Sequence, residues 1–253
     1  MAERTTVTTA LLLVAHGSPD PRARTAATRL QAEVAAHHPG PVRIGFLDHD
    51  VPSLPSALLE TASVADEVVV VPLLLSSGFH AKVDVPAAVA IAAAAAPRTR
   101  FRTAPPLGPD PLITVALRDG LEAVGVASHD ESWGVVLGGV GSSDPAGVDD
   151  VASAAALLGA GSAWRVLPGF ATSAPPTIAQ SVAQLLASGA SRVAVAPYVL
   201  FPGRLPDLIA ATDGVAAVAG PIGAHPALVR LVLSRVATTT GHPAPVDLEE
   251  VLS

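Results

Sequence analysis

The sequence predicts an α/β protein of two tandem, similar domains, each a mostly four-stranded parallel sheet with helices on both faces. Three observations carry that reading. Apolar runs such as Leu11–Ala15 and Glu67–Leu75 (EVVVVPLLL) have almost no polar interruption, the pattern of strands buried on both faces. Segments with helical spacing alternate with these runs, which calls for a parallel sheet covered on both sides. After a polar break at 123–132 the same alternation begins again with matching motifs, the mark of an internal duplication. The repeats divide the chain into residues 1–128 and 129–253.

Composition bounds the function. Half of the residues are hydrophobic but only 3% are aromatic, so Ala, Val, Leu and Ile must build the core. A formal net charge of −7, with no Lys/Arg-rich run, argues against a nucleic-acid partner. With no cysteine there are no disulfides, thiolate metal sites or Cys nucleophiles. The N-terminal MAERTTVTTA is polar and lacks the apolar core of a secretory signal. The longest apolar run, Val85–Pro97, is Ala-rich and too short to span a bilayer. These features predict a soluble, cytoplasmic protein without a membrane partner.

Taken in order, the first strand is Leu11–Ala15, followed at once by His16, Gly17 and Ser18. Asp20 can cap a helix whose first residue is Pro21, where the missing N–H costs nothing. Ala23, Ala26, Ala27, Leu30 and Val34 then keep helical spacing. His37-His38 and Pro39-Gly40 make a turn, with both imidazoles expected at a solvated helix end. Val42–Leu47 is a second strand with Asp48 just past it, and Pro52–Ala62 a short helix. Glu67–Leu75 is the third strand, left through Ser76-Ser77-Gly78-Phe79-His80. A helix from about Asp84 to Ala96, a strand near Thr99–Ala104 and a helix Asp110–Val124 complete the first half.

His16, Asp48 and His80 each follow a strand, at equal spacing. Right-handed crossovers put all three on one edge of the sheet, where open α/β sheets bind ligands. The duplication separates structure from chemistry. Gly17, Asp20 and Pro21 recur as Gly141, Asp144 and Pro145, as turn and cap residues should. His16, Asp48 and His80 fall opposite Val140, Thr172 and Leu205. All three are lost together, as one functional set would be.

Two imidazoles and a carboxylate suit Fe²⁺, Co²⁺ or Ni²⁺, and the imidazoles can also accept protons near neutral pH. A hydrolase with Ser18 as nucleophile is weaker. Ser18 recurs as Ser142, and no G-x-S-x-G elbow is present. Neither strand–helix turn carries G-x-G-x-x-G, which speaks against a dinucleotide site.

AHGSPDPRA (15–23), FLDHDVPSLPSAL (46–58), VVVPLLLSSGFHAKVDVPAA (69–88) and APPLGPDPL (104–112) resemble the sirohydrochlorin chelatases, class II tetrapyrrole chelatases. The second half resembles the degenerate repeat of their long, two-domain form. The resemblance implies insertion of a divalent metal into sirohydrochlorin, toward sirohaem or cobalamin, with Fe²⁺ favoured, Co²⁺ possible and no organic cofactor. It implies that His16 and His80 bind metal and accept protons. Asp48, where many members carry Glu, would ligate the metal directly, act through water, or orient an imidazole. Where the family often has His before Pro, this half has Asp110, while the second half keeps His225. His225 is expected to start a helix rather than join the site.

The substrate's many carboxylates need donors, and the candidates are Ser18, Arg22, Lys82 and Arg204. His49 is expected to point away from Asp48 along an extended chain. His129 and His242 add little, and Trp133 and Trp164 read as core or interface anchors rather than stacking partners. The expected assembly is a monomer whose two pseudo-symmetric halves form a cleft. A carrier that binds tetrapyrrole or metal without catalysis is the alternative reading.

Overall fold

The computed structural model describes residues 7–172 and 174–241; His242 and the C-terminal segment lie outside the described residues. The first half runs β1 (Thr9–Ala15), α1 (Pro21–Ala36), β2 (Val42–Phe46), α2 (Leu54–Ala62), β3 (Glu67–Pro72), α3 (Val85–Ala95), β4 (Arg100–Thr103) and α4 (Pro111–Ala123). The second runs β5 (Trp133–Gly139), α5 (Pro145–Gly159), β6 (Arg165–Phe170), α6 (Ile178–Ala187), β7 (Arg192–Pro197), α7 (Arg204–Ala210), β8 (Ala217–Val218) and α8 (Pro226–Thr240). Each half forms a four-stranded sheet, in the orders β2-β1-β3-β4 and β6-β5-β7-β8. All strand pairs are parallel.

The apolar runs explain the layers. β1 and β3 are buried along nearly their whole lengths, as central strands covered on both faces must be. Leu12, Val14, Val68 and Val70 face α2 and α3. Leu11, Leu13, Val69 and Val71 face a core shared by both halves. Val136, Val193 and Val195 do the outer-face work in the second sheet. Burying one such side chain fully stabilises the fold by about 1.5–3 kcal/mol.

The helix starts follow the capping chemistry. Asp20 accepts from Arg22 N–H at 2.9 Å and Asp144 accepts from Ala146 N–H at 3.0 Å. On α1, Ala23, Ala27, Leu30 and Val34 are buried, and Ala26 is partly so. Asp110 and His225 cap α4 and α8. His37 caps the end of α1, but His38 is half-buried, its Nε2 3.3 Å from the Thr9 carbonyl. Burial holds its pKa below the ordinary histidine value. So His38 is not at a solvated helix end. It is trapped where the turn passes under the start of β1.

The last helix of each half packs on the other half. α4 lies against β7 and α5, whereas α8 lies against β3, β4 and α1. Arg118 on α4 donates to the Ala160 carbonyl, and Arg235 on α8 donates to the Pro106 and Leu107 carbonyls and to Asp110. The repeat boundary proposed at 128/129 falls in the connection between α4 and β5, but packing crosses it in both directions.

Candidate active site

β1 and β2 are paired in register, Ala15 opposite Phe46. The pairing continues past the strands, since Asp48 N–H donates to the His16 carbonyl at 2.8 Å. Gly17 has φ 88°, and a Cβ there would lie 1.7 Å from the Asp48 carbonyl oxygen. Only glycine lets the two chains approach this closely. Gly141 has the same relation to Thr172, with φ 110° and 1.8 Å. Thr172 N–H donates to the Val140 carbonyl at 2.9 Å. His16 and Val140, and Asp48 and Thr172, are therefore structural equivalents.

His80 arrives by a different route from the one expected. β3 ends at Pro72, and after Ser76–Phe79 the chain enters one turn of π-helix, His80–Asp84, continuous with α3. Pro86 has no N–H to donate. The turn before it widens, with Val85 N–H reaching back to the His80 carbonyl. His80 is thus on the first turn of a helix rather than in a loop leaving the strand.

The two imidazoles meet. Their ring centroids are 4.8 Å apart and their planes nearly perpendicular, at 84°. His80 Nδ1 lies 2.6 Å from the Asp84 carboxylate, and His16 Nδ1 lies 3.1 Å from the Gly17 carbonyl. A carbonyl or an ionised carboxylate can only accept, so both Nδ1 atoms carry hydrogen. That leaves Nε2 of each ring as the atom with a lone pair, able to bind a metal or accept a proton. Among the described residues neither Nε2 has a hydrogen-bond partner.

The expected third ligand does not join them. Among the described residues, no three His, Cys, Asp or Glu side chains are grouped to hold a metal ion. His49 has φ 60°, so the chain turns back instead of staying extended. Its N–H donates to Asp48 at 2.8 Å and its Nε2 lies 3.4 Å from the same carboxylate. Asp48 is thus engaged with His49, contrary to the extended-chain expectation for that residue.

Two carboxylates were missed. Asp84 orients His80, the role one reading gave to Asp48. Its signal was the i, i+4 spacing of His80 and Asp84, hidden because the helix was expected to begin only at Asp84. Asp50 accepts from Ser18 N–H at 3.1 Å and fixes the loop after His16.

The four candidate substrate-binding residues differ in state. Ser18 Oγ accepts from Asp20 N–H at 3.1 Å, a loop bond repeated by Ser142 and Asp144 at 3.0 Å. Arg22 is bonded to Asp20 and Asp207, which raise its pKa. Lys82 donates to Asp144 at 2.7 Å. That bond, with the Ala146 N–H, holds the Asp144 carboxyl below its usual range. Arg204 is exposed, with no hydrogen bond or ion pair among the described residues. His225 Nδ1 accepts from Ala227 N–H at 3.2 Å, the helix-start role expected of it, and Nε2 lies 3.2 Å from Asp119 on α4.

Trp133 and Trp164 are buried anchors. Buried Tyr198 donates to the Leu75 carbonyl at 3.1 Å, and burial pushes its phenol above the usual range, keeping it a donor between the halves.

The CbiX family profile matches the chain twice, over residues 10–124 and 134–239. The chain belongs to the CbiX family. The sirohydrochlorin ferrochelatase of Bacillus subtilis (strain 168) is 30% identical to this chain over 243 residues, covering 92% of each protein. The solved structure of SirB from Bacillus subtilis with Fe³⁺ superposes with a TM-score of 0.78 at 31% identity, over 92% of this chain and 95% of that one. SirB from Bacillus subtilis subspecies spizizenii, in complex with cobalt, gives 0.75 at 28% identity, over 93% and 97%. The twofold match agrees with the duplication read from the sequence. Among the described residues, no helix of this CbiX protein is long and apolar enough to cross a membrane.

Proposed function

We propose that this protein is a sirohydrochlorin chelatase that inserts a divalent metal, Fe²⁺ foremost and Co²⁺ next, into the macrocycle. The observation that carries the reading is the His16–His80 pair, its Nδ1 atoms anchored and its Nε2 atoms free. Relatives of matching length with chelatase names support it.

The reaction exchanges two pyrrole N–H protons for one metal ion. The site must therefore hold M²⁺ briefly and take two protons. His16 and His80 present the metal through Nε2 and accept protons as its bonds pass to the pyrrole nitrogens. Asp84 holds the His80 ring through Nδ1–H, which fixes its orientation and leaves Nε2 facing outward for both tasks. Asp48, exposed and joined through its backbone to His16, adds negative charge that draws the cation to this edge. We leave it outside the coordination shell. Arg22, Lys82 and Arg204 receive the substrate's carboxylates, with the Ser18 loop beside them. We place the protein in the cytoplasm as a monomer, because its second half supplies the opposing wall that a flat substrate needs.

Anaerobic mixing of protein, sirohydrochlorin and Fe²⁺ or Co²⁺, followed by absorption, tests this. Acceleration over the uncatalysed rate with several turnovers per chain is the expected result and separates catalysis from delivery by a carrier. No acceleration with either ion would overturn the reading.

A further inference from the structure

Two ion pairs tie the halves together beside the histidines. Lys82 reaches Asp144, and Arg22 reaches Asp207. In both, the cation comes from the first half and the carboxylate from the second. The pairs are related by the duplication. Lys82 and Asp207 donate their N–H groups to the carbonyls of Gly78 and Gly203, at 3.2 and 3.0 Å, so they occupy equivalent positions. Each reaches the start of the other half's first helix.

The two pairs differ in their count of charges. Lys82 faces one carboxylate, which also caps α5. Arg22 faces two, Asp20 and Asp207. Asp20 is fixed, because its Oδ1 also caps α1 through Arg22 N–H. The Asp207 side chain is 56% exposed, and its carboxylate has no other partner among the described residues. A third carboxylate approaching Arg22 would displace Asp207 and not Asp20.

We propose that Asp207 competes with a carboxylate of the tetrapyrrole substrate for Arg22, and so sets how tightly the cleft takes its substrate. Placement supports this. Asp207 lies two residues beyond Leu205, the counterpart of His80. A Cβ at Gly203 would sit 3.6 Å from Ser18 Oγ, so the loop before α7 closes against the loop after His16. Beside Arg22 is a cavity of about 520 Å³, lined also by Thr25, Arg29, Gly223 and Ala224. Arg29 makes no hydrogen bond or ion pair among the described residues. Arg29 thus offers a second, unpaired guanidinium in the space beside Arg22. The proposal rests on the chelatase reading for the identity of its ligand.

The test is metal-free, anaerobic titration of the full chain with sirohydrochlorin, followed by its absorption. Asp207→Asn is expected to tighten binding about two- to fivefold, the range an exposed ion pair is worth. In an Arg22→Ala background the same substitution is expected to change nothing. Asp213→Asn removes an equal charge from an exposed site on the same half and controls for the general field. Equal tightening in all three contexts, no change, or weaker binding with Asp207→Asn would overturn the competition. Turnover with Fe²⁺ is measured alongside. Binding without turnover removes the chelatase reading but not the competition. Turnover with no Asp207→Asn effect does the reverse, and no binding at all removes both.

Discussion

The two halves of this chain share a backbone plan and differ in what they do with the same positions. In the first half, the positions after β1 and at the π-helical turn carry His16, His80 and Asp84. In the second they carry Val140, Leu205 and Ile209, and Ile209 is fully buried among Val136, Val182 and Val195. Thr172, opposite Asp48, turns its hydroxyl back onto the Val140 carbonyl at 2.8 Å. What persists is equally informative. Gly17 and Gly141, Ser18 and Ser142, and Asp20 and Asp144 make the same bonds in both copies. A residue kept by both copies maintains the backbone; one kept by a single copy is free of that duty and available for chemistry.

The largest test of this comparison is to separate the halves. The exchange of α4 and α8 leaves residues 1–128 without the helix that covers β3 and β4, and leaves α4 without β7. The isolated half is expected to be a dimer or an aggregate. Sedimentation velocity with circular dichroism decides. A folded, stable monomer would show that α4 can return to its own sheet and that the halves are independent.

Next in size is removal of either imidazole. His16→Ala or His80→Ala is expected to lower kcat by about 10²-fold or more, the scale of a lost acid–base group. Their melting temperatures should stay near that of the parent, since neither side chain is part of a core cluster. Asp84→Asn should lower kcat by about 10- to 100-fold, because it keeps the shape but removes the charge behind His80. Asp48→Asn should instead raise the KM for metal with little change in kcat. Steady-state rates at varied metal concentration separate the two. A larger kcat loss for Asp48→Asn than for Asp84→Asn would return Asp48 to the metal's coordination shell.

Much of this was legible in the sequence. Apolar runs marked the strands, Asp-Pro marked the starts of α1, α4 and α5, and the duplication marked His16, Asp48 and His80 as a set, of which only the two imidazoles come together. Three features were not legible, each for a physical reason. Periodicity tells which face of α4 is buried but not which sheet covers it, so the helix exchange was invisible. The helix reads from about Asp84 in the sequence, whereas a widened turn carries it back to His80 and sets Asp84 against that ring. His49 adopts a positive φ that its residue type does not announce, and its N–H and ring engage the Asp48 carboxylate.

The smallest expected effect falls on the histidine the two halves do not share in the other direction. His225 stands where the first half has Asp110, and both are helix caps that reach across to the opposite exchanged helix: Asp110 to Arg235, and His225 to Asp119. The shared duty is structural, so His225→Ala should leave kcat within about twofold while costing about 1 kcal/mol, the usual worth of a lost cap. In a protein of this size that lowers the melting temperature by about 2–4 °C. His225→Asp, the residue the first half uses, should restore the cap but face Asp119 with like charge, so its melting temperature should recover only in part. Thermal melts and steady-state rates of the two variants provide the measurement. If His225→Ala lowers kcat as far as His16→Ala while the protein stays folded, the reacting groups come from both halves, and the division of chemistry and structure between them fails.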